Sequence, residues 1–587
     1  MTANWNFTMN EDIQNKSVIV SRENYLKERE KLLSLPPEKI RDYILDHPRP
    51  GELVQSFPEE DFYFLIHDIG PEDSLAILSM ASAAQWEYII DLESWQRDGM
   101  DISALTKWFR LLLQANPGRL VEWLLKDKPE LFEFYLFKNI EVIVREHDQD
   151  PSDFGKGFFT FDDVYYMRIM DDRVDGRLQS QDEKTRDDVL PVLLERLAGF
   201  DHIEFQQVLL KARNVIPAEA EEEAYRLRNV RLGEKGFLPF DEAVGVYQYL
   251  DRRALQNQQD KVLASESEQR DALPIPLYPS RMIKEESLFS TSLQVIEGFE
   301  LLQQIQMEFV ALCNRIVTAD QKKIHERDSL KDVVKKACGY LSIGLGRLHD
   351  LKTLSPEQQK KSSAADLTRF PLLEIFRVGY GSALELKWRA EKWLKNSWFK
   401  KAGLPLSFWG ESWLGVLGGL LVKRPLFFDN YKTGLLYREF SSNEDITQTE
   451  RTLDAIMAFD ELLSLMTLTI KPISANTSLN HKNLVLTLWA RDYLDLSKDI
   501  QALTLDEFKR LFKSLWLDEK TPRKIQQPVK TSFLNWLAQE TGLGADEIAI
   551  RLGDIFEKLF NEIESEYGSV SGADLDPKYI HLFLLSP

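Results

Sequence analysis

Three stretches near the start of the sequence share one pattern: Leu35-Pro36-Pro37-Glu38, Phe57-Pro58-Glu59-Glu60 and Ile69-Gly70-Pro71-Glu72. In each of them an acidic residue follows proline. Proline fits the first position of a helix, and carboxylates there complement the helix dipole, so each stretch predicts a helix start. A further start is expected near Ala84. Helices this short are not stable alone in water, so we predict that they stack into a superhelical array.

The rest of the sequence keeps helical spacing of its apolar residues and lacks the alternation of a long central strand. The fold class is therefore predicted to be all-α and multi-domain, with an N-terminal superhelical helical-repeat array followed by larger helical domains. The predicted divisions are a polar arm at 1–31, a short-helix repeat domain at 32–150, a helical domain at 151–253, a linker at 254–285, a basic, Trp-rich helical domain at 286–470 and a C-terminal helical domain at 471–587.

One motif occurs twice within the predicted 151–253 domain. Residues 157–163 read GFFTFDD and residues 236–242 read GFLPFDE, and a Tyr-rich stretch follows each copy. A phenylalanine precedes an acid in both copies, as at many helix N-termini. We therefore predict that Asp162 and Asp241 are N-caps of equivalent helices. A Ser-, Gln- and Lys-rich stretch at 354–367 predicts a break between helices.

Charge is unevenly distributed along the chain. The net charge is −21, yet residues 320–432 contain 21 Lys/Arg and 12 Asp/Glu, a net of +9. An acidic chain repels nucleic acid, so the basic segment is expected to contact the protein's own acidic domains. Two cysteines, Cys313 and Cys338, are too few for a disulfide framework, and the first residues lack a signal-peptide pattern, so a cytoplasmic location is predicted.

Residues 404–422 are apolar and contain Gly415 and Gly419. Pro405 and Glu411 interrupt the run, which is shorter than the roughly 20 residues of a membrane span. We predict a buried helix whose glycines allow close packing and no transmembrane span. Contact with a membrane surface is the alternative.

A metal site is only weakly indicated. Asp171, Asp175 and Asp182 have part of the spacing of a calcium loop, but Arg173 occupies a position that needs an oxygen ligand. A solvated acidic turn is the preferred interpretation. No zinc, phosphate-loop or nucleophile-elbow motif occurs, so we predict no cofactor and assign no catalytic residue.

The segment 387–401 interleaves cations with aromatic residues. Such a pattern can hold phosphates while rings stack on bases or lie at a lipid interface. The tryptophans at 388, 393 and 398 point to different sides of a helix, which favours a helix packed on several neighbours. The candidate residues for an anionic partner are Lys387, Trp388, Arg389, Lys392, Trp393 and Lys395.

Two parts of the sequence resemble known families. The Pro-acid starts at 32–95 resemble the cytosolic helical-repeat domain of MgtE-type magnesium transporters, which implies a superhelical fold, with Glu59, Glu60, Asp61, Glu72 and Asp73 as cation-sensing acids or as dipole partners. The motifs at 236–243, 340–346 and 376–380 (GFLPFDEA, YLSIGLG and FRVGY) resemble an uncharacterised bacterial family, domain of unknown function 6178. That resemblance implies no activity.

The sequence favours a helical scaffold or regulatory module that binds another protein, and leans against an enzyme. Two alternatives remain: an enzyme whose site is assembled from distant residues, and a binder of nucleic acid or membrane through 387–401. Nucleic acid is the less favoured partner, and the sequence leaves the oligomeric state open.

A titration with single-stranded and duplex nucleic acid at about 0.15 M salt tests the charge argument. We expect no tight binding, because a free polyanion must compete with the acidic domains tethered to the basic segment. Tight binding that is lost when Lys387, Arg389, Lys392 and Lys395 become Ala would contradict this prediction.

Overall fold

The computed structural model describes residues 28–586, apart from residues 30, 33–34, 97–98, 171–180, 214–215, 262–282, 284–285, 323–326, 350–353, 467, 469–478, 498 and 518–520. Helices dominate the described residues, and the strands among them form only two- and three-stranded sheets. The predicted all-α class is confirmed. The predicted domain boundaries and the superhelical arrangement stay predictions, and most of the predicted linker at 254–285 lies outside the described residues.

The first part of the chain is a series of short helices. They are α1 (Pro37–Leu45), α2 (Pro50–Gln55), α3 (Glu59–Ile69), α4 (Leu75–Met80), α5 (Ala83–Glu93), α6 (Ile102–Ala115), α7 (Pro117–Lys126) and α8 (Pro129–Asn139). The four predicted starts are present, although Pro71 leads first into a 3₁₀ turn at Glu72–Ser74. A capping box at Ser82 and Gln85 fixes the start of α5.

The first copy of the repeated motif lies in a small antiparallel sheet. Strand β1 (Trp95–Gln96) pairs with β2 (Gly99–Met100) upstream, and β3 (Ile140–Val144) then pairs with β5 (Tyr165–Ile169), which also pairs with β4 (Phe159–Thr160). Asp162 is in the turn between β4 and β5, where its carboxylate accepts hydrogen bonds from the backbone N–H groups of Val164 and Tyr165. The prediction that Asp162 caps a helix is therefore wrong.

The second copy follows a helical segment: α9 (Gln181–Phe200), α10 (His202–Arg213) and α11 (Pro217–Glu234). Asp241 lies inside the short helix α12 (Phe240–Ala243), whose N-cap is Pro239 and lacks a side-chain cap, so this capping prediction is also wrong. Gly236 has φ +83° and lies against the backbone of Ala311, so glycine is required there. The two copies therefore share sequence but not local structure.

The next helices among the described residues are α13 (Arg252–Gln256), α14 (Leu288–Leu293), α15 (Phe299–Asp320), α16 (Arg327–Leu348), α17 (Pro356–Arg369) and α18 (Leu372–Asn396). Three of them are long: α15 and α16 have 22 residues each and α18 has 25. Helix α17 occupies the stretch at 354–367 that was predicted to be a break. A capping box between Ser355 and Gln358 starts it, and buried Ala364 and Leu367 face the core, so this prediction is wrong.

The apolar run at 404–422 contains an α-helix only at Gly410–Leu421, and one side of this helix is buried. After α19 (Trp398–Lys401) and a 3₁₀ turn, α20 (Gly410–Leu421) packs on a hairpin of β6 (Phe427–Phe428) and β7 (Tyr437–Arg438). A Cβ on Gly415 would overlap the Phe428 ring, and one on Gly419 would overlap the Leu426 carbonyl. The two glycines therefore allow the β6–β7 hairpin, and not another helix, to pack closely on α20. No helix among the described residues has the length and apolarity needed to cross a membrane.

Five helices complete the chain: α21 (Asn443–Leu465), α22 (His481–Tyr493), α23 (Leu505–Leu515), α24 (Gln527–Thr541) and α25 (Ala545–Tyr567). Buried apolar side chains connect all parts of the structure into one cluster from Leu32 to Phe583. Polar contacts also connect distant parts, since the Lys235 ammonium lies 2.7 Å from Glu59 and 3.4 Å from Glu60 at the start of α3. These two acids therefore pair with a cation of the same chain.

Helices α16 and α18 cross with their backbones in contact. A Cβ on Gly379 would overlap the carbonyl oxygen of Tyr340, and one on Gly344 would overlap the carbonyl oxygen of Ile375. Each helix therefore has a glycine where the other helix passes. This spacing determines how α18 is placed on the rest of the core.

Replacement of Gly379 by Ala is expected to reduce the free energy of unfolding by about 3 kcal/mol or more, because backbone atoms cannot move aside as a flexible side chain can. Gly553→Ala in α25 is the matched control, since no atom lies within 4 Å of a Cβ there. That change should be neutral or stabilise by about 0.5–1 kcal/mol through helix propensity. Urea denaturation measures both, and equal effects would contradict the proposed contact.

Candidate functional site

Helix α21 lies at the centre of the candidate site, and a buried ion-pair group fixes its start. The Arg438 guanidinium donates to both Asp445 oxygens at 2.7 and 2.8 Å and to Asp429 at 2.9 Å. Burial opposes ionisation of Asp445, but hydrogen bonds from Arg438 and the Ser441 N–H outweigh it and lower the carboxyl pKa. The Ser442 side chain caps the helix. The start of α21 is thereby held against the β6–β7 hairpin.

Asp460 near the end of α21 holds the neighbouring chain in place. Its carboxylate accepts hydrogen bonds from the Trp398 N–H at 2.9 Å, the Phe399 N–H at 3.0 Å and the Trp393 indole N–H at 3.2 Å. It therefore satisfies the free N–H groups at the start of α19 from another helix. Burial raises the pKa of Asp460, although the N–H donors favour its charged form.

An open groove of about 1120 Å³ runs across α21 between α18 and α25. Half-buried Ala455, Met457 and Ala458 of α21 and Ile555 of α25 provide its apolar contacts. Charged side chains of all three helices surround these residues. The charged residues lining the groove are Arg389, Lys392, Arg451, Asp454, Asp460, Glu461, Arg551, Asp554 and Lys558.

The groove is close to neutral, with five basic and four acidic side chains among its described lining residues, a net of +1. Ion pairs satisfy part of this charge. Arg389 binds Glu450 at 3.0 Å and also contacts Asp454, and Arg551 contacts Glu461. The groove therefore presents both signs of charge around an apolar centre.

The six predicted anionic-partner residues all lie on α18 but in different environments. Arg389, Lys392 and Trp393 line the groove, and Trp393 is 8% exposed. The Lys387 ammonium donates to the Val422 and Lys423 carbonyls at 2.5 and 3.0 Å, past the end of α20. Their binding role stays a prediction.

The remaining two predicted residues lie outside the groove lining. Trp388 is 45% exposed and packs on the Tyr249 ring, with the ring centroids 5.1 Å apart. Lys395 is exposed on α18. Trp388, Trp393 and half-buried Trp398 lie in three different environments, but α18 ends at Asn396 and Trp398 begins α19, so the prediction of one helix that includes all three rings is wrong.

The weak metal candidates cannot be placed. Asp171 and Asp175 lie outside the described residues, and so does the side chain of Asp182. Within the part of the chain that the structure describes, no group of three His, Cys, Asp or Glu side chains could hold a metal ion.

Sequence reasoning missed a buried charge cluster at the crossing of α16 and α18. Lys336 donates to Asp320 at 3.0 Å and binds Glu439 at 2.7 Å. The Tyr247 hydroxyl donates to Asp320 at 2.6 Å, and the Tyr340 hydroxyl donates to Glu439 at 3.0 Å. Each of these charges has a partner inside the cluster, which indicates a structural role. The sequence does not reveal this cluster, because the spacing of charged residues along a helix does not show which of them are buried.

The architecture defines an all-α protein with a groove formed by three long helices and with no metal-type cluster among its described residues. The chain belongs to the family of unknown function DUF6178, whose sequence model matches residues 21–586. This match confirms the predicted family. No curated protein and no solved structure matches the chain, and the resemblance of residues 32–95 to MgtE-type transporters is not shown.

Replacement of Asp460 by Ala should lower the free energy of unfolding by at least about 2 kcal/mol, because three N–H groups lose their acceptor. Asp454→Ala is the control on the same helix. The Asp454 side chain is 56% exposed, and the loss of its exposed ion pair should cost less than about 1 kcal/mol. Urea denaturation measures both losses of stability as shifts of the transition midpoint, provided that the m-value is unchanged. Equal losses would show that Asp460 does not hold α19 in place.

Proposed function

We propose that this protein is an interaction module that binds a helical segment of a partner protein in the groove between α18, α21 and α25. The groove itself is the observation on which the proposal depends: about 1120 Å³, with apolar residues at its centre and both signs of charge around them. Small-molecule pockets have roughly 300–1,000 Å³, so this groove is large enough for a polypeptide.

The chemistry of the groove favours an amphipathic helix. Such a helix places its apolar side on a hydrophobic groove and leaves its charged side chains at the rim. Ala455 and Ala458 are small, so they leave room for larger side chains of a partner. The rim charges of both signs would select the orientation of that helix more than they would increase its affinity.

An anionic partner is the second candidate. Lys392 and Lys395 are exposed on α18, and the groove has one basic residue more than acidic ones. This excess is small, and the four carboxylates around the groove would repel a phosphate backbone. The ion pairs of Lys336 with Glu439 and of Arg389 with Glu450 also support the view that the basic segment contacts the protein's own acids.

Photo-crosslinking tests the proposal. A photoreactive amino acid in place of Ala458, inside the groove, should capture one partner protein from a lysate of the source cells. The same substitution of Ala549, which is exposed on α25 outside the groove lining, should not. Ala455→Trp should fill the groove and abolish capture at Ala458, whereas Ala549→Trp should leave it unchanged.

Two outcomes would contradict the proposal. Capture of the same protein from both positions would show that the groove does not select the partner. Capture of nucleic acid alone at Ala458 would overturn the protein-binding proposal in favour of the anionic partner.

A further inference from the structure

A second, smaller cavity lies where the N-terminal helices meet α11. Its lining residues are distant in sequence from those of the groove. The cavity has about 180 Å³ and is bounded by α5, by the junction of α7 and α8, and by α11. For comparison, an apolar cavity of about 150 Å³ admits benzene. The cavity therefore fits a small metabolite but not a peptide.

One part of this cavity lining is a compact group of charges. The Arg231 Nε atom lies 2.7 Å from a Glu87 oxygen, and Nε and Nη2 each donate to an Asp91 oxygen at 2.8 Å. Lys128 also contacts Glu87. Asp91 is 5% exposed, whereas the side chains of Lys128, Glu87 and Arg231 are 16%, 24% and 33% exposed, so water reaches part of this group.

The cations of this group retain capacity for an anion. An ammonium has three donors and a guanidinium five, and the contacts with Glu87 and Asp91 leave some of them available. Burial and the nearby Arg231 guanidinium lower the pKa of Lys128 to about 8, while the Glu130 carboxylate acts in the opposite direction. A carboxylate near both cations would reduce their mutual repulsion.

Acidic residues also reach the cavity. Asp127 and Glu130 line it and are exposed. With Glu87 and Asp91, four carboxylates face two cations in the lining. A ligand with only a negative charge would be repelled by this excess. A ligand with only a positive charge could contact Asp127 and Glu130 but would leave the remaining donors of Lys128 and Arg231 unused.

The remaining lining is apolar. Trp123 is buried, Trp95 is half-buried, and Leu227 is 37% exposed at the α11 side. Ile90 and Leu131 complete this surface. The cavity thus has cationic, acidic and apolar side chains within one small volume.

We propose that this cavity is a binding site for a small zwitterion, an apolar α-amino acid, with its carboxylate at Arg231 and Lys128, its ammonium at Asp127 and Glu130, and its side chain against Trp95, Trp123 and Leu227. The ligand would contact α5, α7–α8 and α11 together. Its binding would therefore stabilise the packing of α11 on the N-terminal helices. This site is independent of the groove and of the function proposed for it.

Calorimetric titration of the full chain with leucine tests the proposal, together with two analogues that each lack one charge. 4-Methylpentanoate lacks the ammonium, and 3-methylbutylamine lacks the carboxylate. Leucine should bind saturably and raise the melting temperature with concentration, while each analogue should bind at least about tenfold more weakly. No binding by leucine, phenylalanine or valine up to about 10 mM would overturn the proposal. Equal binding of leucine and the amine would also overturn it, because the site would then be one for cations.

Variants show where binding occurs. Arg231→Gln should abolish binding, but it also leaves Asp91 without its partner and can unfold the chain. Leu227→Trp avoids this problem because it fills the cavity from an exposed position without breaking an ion pair. It should lose leucine binding while Leu436→Trp, at an equally exposed leucine outside the cavity lining, keeps it. Unchanged binding by a folded Leu227→Trp variant would exclude this cavity as the site.

Discussion

The contact between the backbones of α16 and α18 is the constraint on which the central architecture depends. Gly344 and Gly379 lie where the two helices cross, and a methyl group at either position would overlap a carbonyl oxygen of the other helix. Close crossing brings Tyr340 of α16 beside Phe376 and Tyr380 of α18, with ring centroids 5.4 and 5.1 Å apart. Since α18 also forms one wall of the groove, the width of the groove depends indirectly on two glycines.

This crossing also explains two of the three motifs on which the family resemblance depends. The stretches 340–346 and 376–380 contain the crossing glycines and the aromatic residues around them, and Tyr247 adds a third tyrosine ring 4.7 Å from that of Tyr380. Asp320, Lys336, Arg424 and Glu439 neutralise one another beside these rings. These two motifs therefore maintain the packing of the chain, while the groove combines part of the basic, Trp-containing segment 387–401 with residues of α21 and α25 that belong to no motif.

Local rules predicted those features that depend on a few adjacent residues. Proline followed by acids predicted the starts of α1 and α3, and the interrupted apolar run predicted helix α20. The same rules failed where neighbours in space decide. GFFTFDD forms a strand and a turn because β5 pairs with β3 and β4, whereas GFLPFDE packs as a turn and short helix on α15. The groove combines residues from 389 to 558, a distance in sequence that no spacing rule covers.

Cations of the basic segment are partly neutralised by acids of the same chain. Residues 320–432 have a net charge of +9 in the sequence, but acids just beyond the segment lie beside its cations in the fold. Glu439 binds Lys336, and Glu450 and Asp454 bind Arg389. Glu450 and Asp454 lie on α21 and Glu439 lies just before it, and the groove across α21 has nearly equal numbers of both signs. We therefore expect its attraction for a polyanion to be weak at physiological salt, since the field of exposed charges is screened beyond about 8 Å. A partner with its own mixed charges and one apolar side complements this surface better, because burial of the apolar centre contributes affinity that salt does not screen.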